Sequence, residues 1–244
     1  MLYKAKKGQA SYGEAIGILL LDTSFAPYIP GDVANATTYS FPVRFKKVNG
    51  LTVERMFNKD VRFLDNMINA GKELVEEGVK AITGDCGFMA LFQREMAKQL
   101  EVPVFLTSLL QLPFLTRIIG EKQKVGIITA NSKILDNALL REVDIKDMNS
   151  IYIKGVEDKE YFRKAIIEEV GWLDFGKVEK EVVSAAKEMV KKDSRIKVIL
   201  LECSCLPPYG VAVQEAVNLP VFDYITMINY VYSAVVKKKY EGFM

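Results

Sequence analysis

The chain states one strand–helix arrangement twice. Ile16-Gly-Ile-Leu-Leu-Leu-Asp-Thr23 matches Val125-Gly-Ile-Ile-Thr-Ala-Asn-Ser132 at an offset of 109 residues, and Val102-Pro-Val-Phe105 matches Leu219-Pro-Val-Phe222 at an offset of 117. Cys86 and Cys203 are also 117 apart, and each lies 17 residues before the proline of its own segment. A duplicated unit of this size packs as two similar halves, so two of the three cysteines occupy equivalent positions in them.

Each half alternates short apolar runs with longer amphipathic stretches. Strands are expected at Ile16–Leu21, Pro42–Phe45, Lys80–Thr83, Val102–Leu106, Lys124–Thr129, Ile151–Ile153, Lys197–Leu201 and Leu219–Phe222. Helical patterns fall at Asp60–Glu77, Met89–Leu100, Ser132–Val143, Lys177–Lys192, Val211–Val217 and Tyr224–Lys239. β-branched strands alternating with helices form parallel sheets covered on both faces. The expected fold class is therefore α/β, with two similar parallel-sheet subdomains related by a pseudo-twofold axis and a cleft between them. Residues 1–108 make the first subdomain and 109–223 the second.

In such sheets ligands sit outside the carboxyl ends of the strands. Cys86 follows the run Ala81-Ile-Thr-Gly-Asp85 and Cys203 follows Val198-Ile-Leu-Leu-Glu202, so both thiols stand at such ends. With the two edges face to face, they approach one cleft from opposite sides. The chain has no histidine, which removes Ser-His-Asp and Cys-His catalysis and leaves proton transfer to Cys, Asp, Glu, Lys or Tyr. A thiolate and a thiol flanking one carbon can remove a proton from one face and return one to the other, with no cofactor. Helical patterns begin after each cysteine, and a helix N-terminus stabilises a thiolate.

Other uses of the thiols are weaker. Cys203, Cys205 and Cys86 offer a metal three thiolates with no fourth Cys or any His, so no metal site is expected. A redox Cys-x-Cys pair has no further support, and Cys205, without a repeat counterpart, reads as a packing thiol. Three cysteines in 244 residues form no disulfide framework, which fits a reducing, cytoplasmic setting. A formal charge of +2 with scattered Lys and Arg gives no nucleic-acid stripe. Lys4, Lys6 and Lys7 ahead of Ala15–Leu21 imitate a secretory signal. Glu14 and a polar stretch separate the charges from a run of only seven residues, which reads instead as a buried strand. No run is long enough to cross a membrane.

The segments Asp22-Thr-Ser24, Gly84-Asp-Cys-Gly87, Val102-Pro-Val, Gly126-Ile-Ile-Thr-Ala-Asn131 and Leu201-Glu-Cys-Ser204, in this order, resemble the aspartate/glutamate racemase family. Hydantoin racemases, maleate isomerases and arylmalonate decarboxylases belong to it as well. The resemblance implies a cofactor-independent two-cysteine mechanism and a small carboxylate-bearing substrate between two α/β subdomains. It also implies that the closing segment, 224–244, packs back on the first of them. The family places Asn-Thr after its first cysteine and sets its second in Gly-Cys-Thr. Here Gly87-Phe88 follow Cys86, and Glu202 and Ser204 flank Cys203.

The leading expectation is an amino-acid racemase or epimerase. Cys86 and Cys203 would be the opposed base and acid, with Asp22, Thr23, Ser24, Gly87, Asn131, Ser132 and Ser204 around the substrate. Asn131 or Ser132 serves equally well as a local helix cap. Pro27–Asp32 reads as a cover for the cleft or an ordinary surface connection. The alternatives are a single-thiol isomerase or decarboxylase, a hydantoin racemase, and a non-catalytic small-molecule-binding protein with the same two lobes. No nucleic-acid or membrane partner is expected, and a homodimer is compatible with the sequence without being dictated by it.

Overall fold

In the first half β1 (Ile16–Leu20) lies between β2 (Val43–Lys47) and β3 (Ala81–Gly84), with all pairings parallel. In the second, β4 (Lys124–Thr129) lies between β5 (Ile151–Gly155) and β6 (Ile196–Leu201), with β7 (Val221–Phe222) outside β6. The computed structural model from which this comes describes residues 2–22 and 25–244.

The repeat holds to the level of register. Gly17 pairs with Ile82 as Gly126 pairs with Ile199, and the Ile82–Val104 bridge matches the Ile199–Val221 pair. The helices are α1 (Val53–Phe57), α2 (Leu64–Glu76), α3 (Gln93–Gln99), α4 (Leu112–Ile118), α5 (Asn137–Arg141) and α6 (Glu160–Phe162). They are followed by α7 (Phe175–Lys192), α8 (Gly210–Val217) and α9 (Tyr224–Val235). A side chain at Gly17 would press on Leu74 of α2, and one at Gly126 on Met189 of α7. These two equivalent glycines let a helix lie close on the central strand of each sheet.

Several boundaries differ from the periodicity for local reasons. The strand expected at Val102–Leu106 is a single bridge at Val104, beside Pro103, which has no N–H for a ladder. The helix expected at Ser132–Val143 shrinks to α5, because Asn131 caps Lys133 and Asp136 caps Leu139 to start the helix later. Met89–Leu100 becomes a 3₁₀ segment, Gly87–Phe92, followed by α3, and the closing helix stops at Val235. None of α1, α4 and α6 was expected.

One buried cluster runs through both halves, joining Leu19, Met67, Ile82 and Leu106 to Val125, Ile127, Leu140 and Leu200. α9 lies on the first sheet, where Tyr224, Met227 and Ile228 pack with Ile16, Ile18, Ala81 and Phe105. The Tyr224 hydroxyl donates to the Leu106 carbonyl at 2.9 Å. Among the described residues no helix is long and apolar enough to cross a membrane.

A core shared in this way couples the halves. Ile228→Ala, at a fully buried position of α9, should cost about 2–5 kcal/mol. The fluorescence of Trp172, the one tryptophan and in the other half, should shift in the same urea transition as far-UV circular dichroism. A Trp172 transition left at the parent midpoint would show halves that unfold independently.

Candidate active site

The carboxyl ends of β3 and β6 meet, and hydrogen bonds in both directions join the two halves there. Ser204 Oγ donates to the Asp85 carbonyl oxygen, and Ser108 Oγ donates to the Glu202 carbonyl oxygen at 2.9 Å. The Glu202 N–H in turn donates to Ile128 O at 2.8 Å, which ties the second loop to β4. Cys86 and Cys203 are thereby brought to the walls of one cavity. Cys205 lines it too, and all three thiols are free.

The rest of the lining is largely apolar, with Leu21, Val53, Ile166 and Ile167 in it, and is set with acids and rings. Asp85, Glu169 and Glu202 supply carboxyls, and Tyr28, Phe57 and Phe88 supply rings; Phe57 and Phe88 meet edge to face with centroids 5.6 Å apart. Among the described residues no lysine or arginine lines the cavity. No group of three His, Cys, Asp or Glu side chains converges there in metal-binding geometry either.

Carboxyls buried without a cation are held toward their neutral form. Burial pushes Glu202 up to about 7, against the hydrogen bonds from Thr129 and the Ala130 N–H. Asp85, which accepts the Leu21 N–H with both oxygens at 3.0 and 3.1 Å, is pushed up to about 8 by burial, with Asp32 adding to it. Asp32, behind the cavity beside Cys205, is raised by burial to about 7.

The thiols differ from one another. Burial raises Cys86 well above the ordinary thiol range, and Glu202, Asp85 and Cys203 add to this, outweighing the hydrogen bond from the Phe88 N–H. Cys205 is raised first by its hydrogen bond with Cys203, then by burial and by Asp32. It stays protonated and is placed to donate to the Cys203 sulfur.

Of the residues expected around a substrate, Gly87 and Ser204 line the cavity. Thr23 and Ser24 lie outside the described residues. The other three line no part of it. Asp22 pairs with Lys47 at 2.8 Å and accepts the Gly50 N–H. Asn131 caps Lys133, and Ser132 donates to Glu157 at 2.5 Å. Pro27–Asp32 is no loose connection: Tyr28 lines the cavity, Asp32 is buried, and the next residue's N–H, that of Val33, donates to Ser204 O.

Periodicity could not single out Glu169 and the aromatic wall, whereas Asp85 ends the run Ala81-Ile-Thr-Gly-Asp85 directly before Cys86. Glu202 did carry a signal, as an acid at the end of an otherwise apolar strand.

Dimethylsulfoniopropionate lyases are the relatives by sequence. One from Durusdinium sp. clade D is 32% identical over 232 residues, covering 88% of this chain and 73% of that protein. The chain belongs to the dimethylsulfoniopropionate lyase family. Lyase 3 of Emiliania huxleyi is 33% identical over 231 residues, and lyase 5 of the same species 31% over 232. The chain spans 58% and 45% of the length of these two relatives. No family model matches the chain.

Solved structures share the fold at lower identity. An aspartate racemase homologue from Pyrococcus horikoshii superposes with a TM-score of 0.55 at 18% identity, covering 91% of this chain and 99% of the other. Arylmalonate decarboxylase gives 0.56 at 14%, covering 91% and 92%, and glutamate racemase from Bacillus anthracis 0.55 at 15%, covering 91% and 82%. The racemase resemblance of the sequence is thus one of fold, while its family by sequence is that of the lyases.

The raised carboxyls carry a pH signature. Glu202 has an ordinary value of 4.5 and about 7 in the fold. Between these the folded chain keeps a proton that the unfolded chain has released, so this group lowers stability as pH rises through the window. Glu202→Gln should match the parent melting temperature near the low end. Above the folded value it should exceed the parent by roughly 2–4 °C for each kcal/mol relieved. Parallel melting curves across the whole range would contradict the buried, unpaired carboxyl.

Proposed function

We propose that the chain is a lyase that removes an α-proton from a small onium carboxylate and expels the β-substituent, with dimethylsulfoniopropionate as the model substrate. The observation that carries this reading is a cavity lined by thiols from both halves, three carboxyls and an aromatic wall, with no cationic side chain among the described residues, in a chain whose relatives are such lyases. A dicarboxylate would meet that lining as like charge, whereas an onium group brings the missing positive charge.

In this scheme the Cys203 thiolate takes the α-proton. The Cα–H electron pair becomes the new carbon–carbon double bond, and the Cβ–S bond breaks with its pair on sulfur. Dimethyl sulfide leaves neutral, acrylate remains, and the Cys203 thiol returns its proton to solvent. Cys203 is given this role because the Cys205 thiol is placed to donate to it. Cys86, which burial and then the neighbouring carboxyls hold protonated, faces the substrate as a hydrogen-bond donor. Ser204 and Gly87 belong to the same wall, with the Ser204 hydroxyl fixing the loop that carries Cys203.

A second reading, two-thiol racemisation of an amino acid, draws on the equivalent placement of Cys86 and Cys203 in the two halves. Proton NMR in D₂O separates the two. With dimethylsulfoniopropionate the parent should produce acrylate vinyl signals, and Cys203→Ala should lose about 10²–10⁴-fold in rate. Cys86→Ala should retain measurable elimination. Absence of acrylate, with α-deuteration and enantiomer formation from an amino acid lost equally in both variants, would favour racemisation.

A further inference from the structure

The one acidic residue that most sharply departs from the racemase pattern also has an unexplained atom. Glu202 is 1% exposed, and its Oε2 accepts from Thr129 Oγ1 at 2.8 Å. Its Oε1 is buried with no partner, and the residue lines the cavity. Buried acceptors are rarely left unpaired without a reason.

Position explains how the carboxyl fits. A side chain at Gly87 would collide with the Glu202 carboxyl and crowd its backbone oxygen. The two departures from the resemblance are therefore one change in space. Where the racemase pattern has Asn after the first cysteine and Gly before the second, this chain has Gly87 and Glu202. An acid reaching across from the second half fills the place of an amide from the first.

We propose that Glu202 is the specificity-determining residue of the cavity, and that its Oε1 receives the fixed positive charge of a methylated sulfonium or quaternary ammonium carboxylate. This rests on the onium reading above and names the group that enforces it. A primary ammonium brings three N–H donors that each need an acceptor. Asp85 already shares the Leu21 N–H between its two oxygens, so the unpartnered carboxyl acceptors of the cavity are Glu202 Oε1 and Glu169 Oε1, fewer than the three donors. A methylated onium makes no such demand: its charge is spread over methyl groups, which suit the Phe57 and Phe88 rings while one carboxylate oxygen faces the charge.

Two analogues of one shape, neither with a sulfonium leaving group, test this. 3-(Trimethylammonio)propionate carries the charge, and 4,4-dimethylpentanoate replaces the charged nitrogen with carbon. By calorimetry at about pH 8, where Glu202 is ionised, the parent should prefer the onium by about tenfold or more. Glu202→Gln should bring the two within about threefold, chiefly by weaker binding of the onium, and Glu202→Asp should keep most of the preference. A preference that survives in Glu202→Gln would overturn the assignment and leave the onium reading standing. No preference for the onium in the parent would overturn that reading itself, and the assignment with it.

Discussion

Two serine hydroxyls, each donated to a backbone carbonyl of the opposite loop, make one site out of two sheets. Ser204 holds the carbonyl of Asp85, next to Cys86, and Ser108 holds that of Glu202, next to Cys203. Every feature of the cavity depends on this crossing. It brings both thiols to one cavity, and it carries the Glu202 carboxyl over Gly87. The shared apolar cluster below keeps water away, so acids that would ionise freely at the surface are held near neutrality.

That electrostatic state separates this cavity from what its fold would suggest. Racemases and a decarboxylase share the two-sheet architecture, and a fold of this kind hosts several chemistries by changing the residues at its strand ends. Here those residues are Asp85, Glu202 and three thiols, with aromatic rings in front and no basic side chain among the described residues. A site of this composition would favour a substrate that brings positive charge to its carboxyls. Elimination also asks less of the thiols than racemisation, since one proton leaves and none must return to the opposite face. An unequal pair, with Cys86 held protonated and Cys203 beside a donor thiol, suits that asymmetry.

Much of the scaffold was readable because burial is written in periodicity. The duplicated strands appear in the same register in both sheets, and the 117-residue spacing of Cys86 and Cys203 places both at strand ends around one cavity. What escaped was local competition. Asp22, Asn131 and Ser132 sit on the expected loops, yet their polar atoms are taken by Lys47, Lys133 and Glu157. Glu202 was visible only as an anomaly, because its meaning lies in its contact with Gly87, 115 residues earlier in the chain. Glu169 and the aromatic wall left no trace in the pattern, since they come together through loop packing.

The most direct measurement is dimethyl sulfide release in headspace gas from dimethylsulfoniopropionate, compared with the substrate deuterated at the α-carbon. The account predicts sulfide and acrylate in equal amounts, and slower release from the deuterated substrate because the thiolate breaks the α-C–H bond. Sulfide released at the same rate from both, or a methylated thiol in place of acrylate, would contradict α-proton abstraction as the chemistry of this site.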